Sequence, residues 1–186
     1  MFRRLFGHKR TNHVIADALY MEIVAAARQP EFYAGFGVPD TPLGRFELIA
    51  LHMVLFLRRL KGRGVILEEI GQHVTDEYFK DIDYALRELG IGDTSVPKRM
   101  KKLARMFYGR AASYTAAIDD GDRIALAAAL ARNIMPETAG EWSGANPLAV
   151  LVLKACEHLD TVPDEDICKG RISFSGTILA SRERIN

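Results

Sequence analysis

Five histidines, two cysteines and 24 carboxylates are the side chains of this chain that could do chemistry. Their spacing does not assemble any. A helical zinc site of the HExxH kind needs histidines four apart with a carboxylate between them. His8, His13, His52, His73 and His158 show no such pattern. Cys156 and His158 are two apart, which sends their side chains to different faces of a helix, and Asp81 and Asp83 diverge in the same way. Cys156 and Cys168 do not form a CxxC pair. They read as buried small hydrophobes or incidental thiols rather than a disulfide framework. The phosphate loop GxxxxGK[ST], the dinucleotide fingerprint GxGxxG and the nucleophile elbow GxSxG are all absent. No catalytic residues, metal or cofactor are therefore expected.

Charge is more informative than reactivity. The net charge is only +1, yet its distribution is uneven. Arg3, Arg4, Lys9 and Arg10 stand in the first ten residues with no acid. With those four set aside, the other 21 basic residues face 24 acidic ones. On that acidic body sits one strongly basic segment. Lys98, Arg99, Lys101, Lys102, Arg105 and Arg110 occur between Asp93 and Asp119 without an intervening acid. At about 100° per residue, Lys98, Lys101, Lys102 and Arg105 share one helix face, opposite Met100, Leu103, Phe107, Ala111 and Tyr114. Two readings stand side by side: an ordinary solvated face, or a docking surface for an acidic partner.

The elements that must position this face follow from periodicity and caps. Leu89 and Gly90 end the preceding helix, because glycine suits the left-handed position after a last turn. Ser95 is expected to cap the basic helix, with Pro97 in its first turn. Thr41 and Pro42 open a helix to Leu60 that is apolar nearly all round, the signature of a central element. Its polar exceptions, Arg45 and His52, are expected to join Asp83 or Glu88 in a structural polar network, and Phe46 and Phe56 to be fully buried. An earlier helix starts at Thr11 or Asn12 and ends before Pro30. Phe32, Tyr33 and Phe36 then plug the core beneath a loop. Ile66 to Leu89 rises in steps of four, with an interruption expected between Gly71 and Thr75. Asp122 caps an alanine-rich helix to Met135, Trp142 lies as a lid over the core, and Asn146 and Pro147 open a helix to about Leu159. Regular structure is expected to end at Pro163 and the acids Asp164, Glu165 and Asp166, with a short extended piece at Ile172–Phe174 and a loose tail over 175–186. No alternating strand pattern appears. The expected fold is therefore all-α, a single-domain bundle of about six to seven helices around the helix at 42–60. Composition, 48% hydrophobic and 26% charged, is that of an ordinary globular chain.

Residues 1–10 read separately. Phe2, Leu5 and Phe6 at i, i+3 and i+4 with cations between them resemble an interfacial anchor, although ten residues alone are too few for a stable helix in water. Peripheral contact with the cytoplasmic membrane face is one reading and a frayed terminus the other. No secretory signal or transit segment is visible, which favours a bacterial, cytoplasmic protein.

Three stretches carry a family resemblance: FGVPDTPLGRFELIALHMVLFLRRL (Phe36 to Leu60), FKDIDYALRELGIGD (Phe79 to Asp93) and VPKRMKKLARMFYGRAASY (Val96 to Tyr114). Their order and spacing resemble the ubiquinol–cytochrome c chaperone family, over roughly residues 14–174, which sets a helical domain at 11–174. The resemblance implies a bacterial member that acts as a non-enzymatic chaperone in assembly of the ubiquinol–cytochrome c reductase (bc1) complex. It implies cytochrome b or its nascent chain as partner, and extends to a small partner subunit and a ribosome. The partner-binding residues expected on this basis are Lys98, Lys101, Lys102, Arg105 and Arg110, with Gly92 and Asp93 in the adjoining turn. The alternative is a ribosome- or RNA-binding helical module using the basic face of the helix at 97–118, whose affinity would fall steeply with salt.

Overall fold

The computed structural model describes residues 2–174, with side chains from His13 onward. Eight helices follow in order: α1 Phe2–Ala27, α2 Pro30–Ala34, α3 Pro42–Leu60, α4 Val65–Glu88, α5 Val96–Asp119, α6 Arg123–Ile134, α7 Ala145–Thr161 and α8 Asp164–Ile167. No strand occurs among the described residues. Six helices are long and two are single turns, so the all-α expectation and the helix count hold.

α3 is the spine because its apolar residues surround it. Leu48, Ala50, Leu51, Met53, Val54, Leu55 and Phe56 are all buried, and α1, α4, α5, α6 and α7 each touch it. Its start is set by local chemistry. Thr41 is extended, its hydroxyl accepts a hydrogen bond from the Gly44 N–H at 3.1 Å, and Pro42 occupies the first turn. Position 44 must be glycine-small: a Cβ there would stand 2.0 Å from the Pro39 carbonyl oxygen.

Several boundaries differ from the sequence expectation. α1 begins at Phe2 and runs through Thr11 and Asn12 without a break. The side chains of residues 1–12, and the tail at 175–186, lie outside the described residues. α4 is continuous through Gly71, where the expected interruption does not occur. A Cβ at Gly71 would meet Leu60 Cδ1 at 3.1 Å and Leu57 Cδ2 at 3.3 Å, so this glycine admits close approach of α3 rather than a kink. Thr75 donates to the Gly71 carbonyl at 2.8 Å within the unbroken helix. Pro30 opens a short helix within the aromatic connection, and Phe32 is buried there as expected. Asp164 to Ile167 forms α8 beyond the expected end of regular structure. Ile172 and Phe174 are buried but belong to no strand. Asp122 caps α6 through the Ala125 N–H at 2.8 Å, as expected. Trp142 packs on the core and donates to the Phe36 carbonyl at 2.9 Å, tying the α6–α7 connection to the loop after α2.

Candidate functional site: the basic face of α5 and its turn

The turn between α4 and α5 is built from backbone geometry first. Gly90 takes φ of 76°, a region that L side chains avoid. Its N–H bonds the Arg87 carbonyl at 2.9 Å and the Ile91 N–H bonds the Leu86 carbonyl at 3.2 Å, which closes α4 with a left-handed cap. Arg87 then ties α4 to the turn by pairing with both Asp83 and Asp93. Gly92 accepts hydrogen bonds from the Ser95 and Val96 N–H groups at 2.8 and 3.3 Å. Ser95 makes no side-chain cap, contrary to expectation: its backbone is already helical, so its hydroxyl is not placed to accept. Pro97 in the first turn and buried Val96 anchor the start of α5 instead.

From this start α5 presents Lys98, Lys101, Lys102 and Arg105, all exposed. None of the four makes an ion pair or side-chain hydrogen bond among the described residues. The opposite stripe is inside, with Phe107 and Tyr114 buried and Met100, Leu103 and Ala111 packed against the core. Their field is thus not cancelled by a neighbour on the same helix.

Arg110 does not belong to this face. It is buried, and its guanidinium donates through Nε to Glu47 Oε2 at 2.6 Å and through Nη2 to Glu47 Oε1. Glu47, 1% exposed on α3, receives a bidentate pair, and the Phe46 ring lies 6.0 Å from the Arg110 guanidinium carbon. Burial pushes the Glu47 carboxyl up from its ordinary value, and the two Arg110 hydrogen bonds pull against that rise. Phe46 itself is only partly buried, which corrects the expectation of full burial.

The expected network of Arg45, His52, Asp83 and Glu88 is not formed either. Arg45 pairs with Asp40 at 2.7 Å on the surface. His52 is buried and bonds the Leu48 carbonyl at 2.8 Å through Nδ1. Asp83 is held by Arg87, and Glu88 meets Tyr84. The buried charges of α3 find other partners: Arg59 donates to the Leu159 carbonyl at 2.8 Å, the Val162 carbonyl at 2.6 Å and Asp164 at 2.5 Å.

A residue that sequence reading missed completes the site. Tyr108 is 58% exposed, three residues beyond Arg105 and therefore its neighbour on the helix surface. Its ring packs on Phe79 at 6.4 Å and Phe107 at 5.4 Å between centroids. Phe79, Phe107, Tyr78 and Phe46 continue that contact inward to the Glu47–Arg110 pair. Leu89, the last residue before the turn, is 70% exposed. The site is thus a row of free cations with an exposed tyrosine beside its last member. The signal for Tyr108 was present in the FYGR run, whose tyrosine falls beside Arg105 and not on the core stripe.

No cluster of three or more His, Cys, Asp or Glu side chains able to hold a metal occurs among the described residues. No helix among them is long and apolar enough to cross a membrane.

The sequence pattern of the ubiquinol-cytochrome C chaperone family matches residues 34–174. The chain belongs to the ubiquinol–cytochrome C chaperone family. It is 27% identical to the ubiquinol-cytochrome-c reductase complex assembly factor 1 of Xenopus laevis, over 83% of this chain and 76% of that protein. It is 25% identical to the corresponding factor of Mus musculus over the same share of this chain, but spans only 52% of the mouse protein. The crystal structure of the Cbp3 homolog from Brucella abortus superposes with a TM-score of 0.84 at 52% identity, covering 93% of this chain and 96% of that one. The matched family region contains α3, the α4–α5 turn and the whole of α5.

Proposed function

We propose that this member of the ubiquinol–cytochrome C chaperone family is a non-enzymatic assembly chaperone of the ubiquinol–cytochrome c reductase complex, whose client is newly made cytochrome b. The relatives in frog and mouse bear the name of complex assembly factors. The observation that carries a binding role is the face Lys98, Lys101, Lys102 and Arg105, exposed and unpaired, with exposed Tyr108 beside Arg105 and exposed Leu89 at the end of α4. Stability alone gives no reason for that row. Like charges at i,i+3 and i,i+4 repel by a few tenths of a kcal/mol per pair. Cations set around exposed aromatic and aliphatic anchors are a binding arrangement: the charges steer and orient, and the apolar groups hold. Gly92 and Asp93 shape the turn at the edge of this surface. The protein works at the cytoplasmic face of the membrane, where its client is inserted, with residues 1–10 as a peripheral contact.

The test replaces Lys98, Lys101, Lys102 and Arg105 together with glutamine. The urea midpoint should stay level or rise slightly, because repulsion is removed. A strain carrying only this variant should lose the cytochrome b absorbance of its membranes. Tyr108→Ala in the otherwise native chain should weaken capture of cytochrome b in a pull-down. A folded quadruple variant that supports a full cytochrome b spectrum sinks the proposal.

A further inference from the structure

Six consecutive residues, Lys61 to Ile66, are exposed at the reversal between α3 and α4. Gly62 and Gly64 take φ of 72° and 99°, which L side chains rarely adopt, so glycine makes this tight reversal possible. Lys61 and Arg63 alternate with them and make no ion pair or side-chain hydrogen bond among the described residues. Val65 and Ile66 follow as the first two residues of α4, 70% and 66% exposed. Two β-branched apolar residues are poor choices for a solvated first turn: they bury little there and are indifferent helix formers. No side chain caps this turn. The uncapped N–H groups of the 24-residue α4 add partial positive charge to that of Lys61 and Arg63. Glu68 closes the first turn of α4 and Glu69 follows it, so Lys61 and Arg63 stand nearer the tip than either acid.

The position of this tip in the bundle matters. His13 meets His73 with 4.8 Å between ring centroids, and Tyr20 donates to Asp81 at 2.9 Å. α1 and α4 therefore run parallel and begin at the same end. α1 opens with the stretch that holds Arg3, Arg4, Lys9 and Arg10 and no acid. One end of the molecule thus gathers the α3–α4 tip and the cationic start of α1.

We propose that the tip Lys61–Ile66 is a second docking element, distinct from residues 1–10, for an anionic lipid bilayer. Val65 and Ile66 enter at headgroup level while Lys61 and Arg63 meet lipid phosphates. The occupant is an anionic bilayer because unpaired cations and exposed apolar side chains adjoin within six residues, at the same end as the cationic start of α1. That combination suits lipid phosphates above an acyl boundary. The inference rests on the reading that the chaperone works at the membrane face and is indifferent to what α5 binds.

The experiment uses the full chain and protein-free vesicles of phosphatidylcholine with and without 30% phosphatidylglycerol. Wild type should co-sediment with the anionic vesicles only. Lys61→Gln with Arg63→Gln should lower the partition coefficient about fivefold per cation removed, and Val65→Ser with Ile66→Ser should lower it further, with circular dichroism unchanged. Ile66→Trp should show a blue-shifted emission on adding anionic vesicles beyond any change in the native protein with its Trp142. Failure of wild type to bind these vesicles overturns the proposal. So does equal binding by the tip variants, including the case in which only deletion of residues 1–10 reduces binding. Since no cytochrome b is present, either failure leaves the α5 reading intact.

Discussion

Glu47 and Arg110 lie 63 positions apart, and no local spacing could have paired them. Yet each carried a signal. Glu47 interrupts an apolar helix, and a buried carboxylate requires a partner. Arg110 falls within about 20° of Leu103 on the helical wheel, on the core stripe and away from the lysines. Charge type placed Arg110 with the docking face; angle places it inside. Because the pair is buried and bidentate, removing one member leaves an uncompensated charge in the core. Glu47→Ala or Arg110→Ala should each cost about 3–5 kcal/mol, while Glu47→Leu combined with Arg110→Met should come back close to wild type. Urea unfolding of the three variants checks this. A double variant as weak as the singles would mean the pair contributes through shape rather than through charge. His52 gives a second residue-scale prediction. Its ring sits edge-on to Phe32 and Phe174, each 5.3 Å away, and burial pushes its pKa down from 6.5 to about 4. The unfolded chain therefore binds a proton that the folded chain refuses between those values, so stability falls as pH drops through that window. The loss attributable to His52 between pH 7 and pH 5 should be about 2 kcal/mol. The comparison is with His52→Gln, whose urea midpoint should change less over the same interval; an equal change in both proteins removes the claim.

At the scale of elements, what was legible depended on whether the cause is local. The Thr41 and Asp122 caps and the Gly90 terminus were readable because a short polar side chain or a left-handed glycine acts within one turn. Ser95 and the Thr11/Asn12 pair have the right chemistry for a cap, but the backbone stays helical at each, so the residue type alone misled. Gly71 shows the opposite failure. Its propensity cost of about 1 kcal/mol suggested a break, but the contact of Leu57 and Leu60 at that position is tertiary and invisible in the local sequence. Phe46 was expected inside because it lies on an apolar helix. It is instead at the edge, where the α3 start meets α4 and α5, and it joins the aromatic path that ends at exposed Tyr108. The row Lys98, Lys101, Lys102 and Arg105 was the part of the candidate site most readable from sequence, since both exposure and shared face follow from the helix period. The anchors Tyr108 and Leu89 were not, because exposure of an apolar residue is set by what fails to pack over it.

For the molecule as a whole, α3 decides how stability is shared. It touches α1, α4, α5, α6 and α7, and its buried ends are tied outward by Glu47 to α5 and by Arg59 to the α7–α8 corner. A helix in contact with every other long helix leaves no subset that could unfold while keeping its own core. Unfolding should therefore be a single cooperative transition. Phe56, fully buried in the C-terminal half of this spine, is the residue to test. Phe56→Ala removes an aromatic ring that no neighbour can replace, at a cost of about 3–5 kcal/mol. In a domain of this size each kcal/mol corresponds to roughly 2–4 °C, so the midpoint should fall by about 6–20 °C. The loss should be the same by far-UV circular dichroism, which reports all helices, and by Trp142 fluorescence, which reports the connection leading into α7. If the two probes separate, with Trp142 released at a lower temperature than the bulk of the helices, the bundle is two cooperative units. α3 would then be the spine of only one of them.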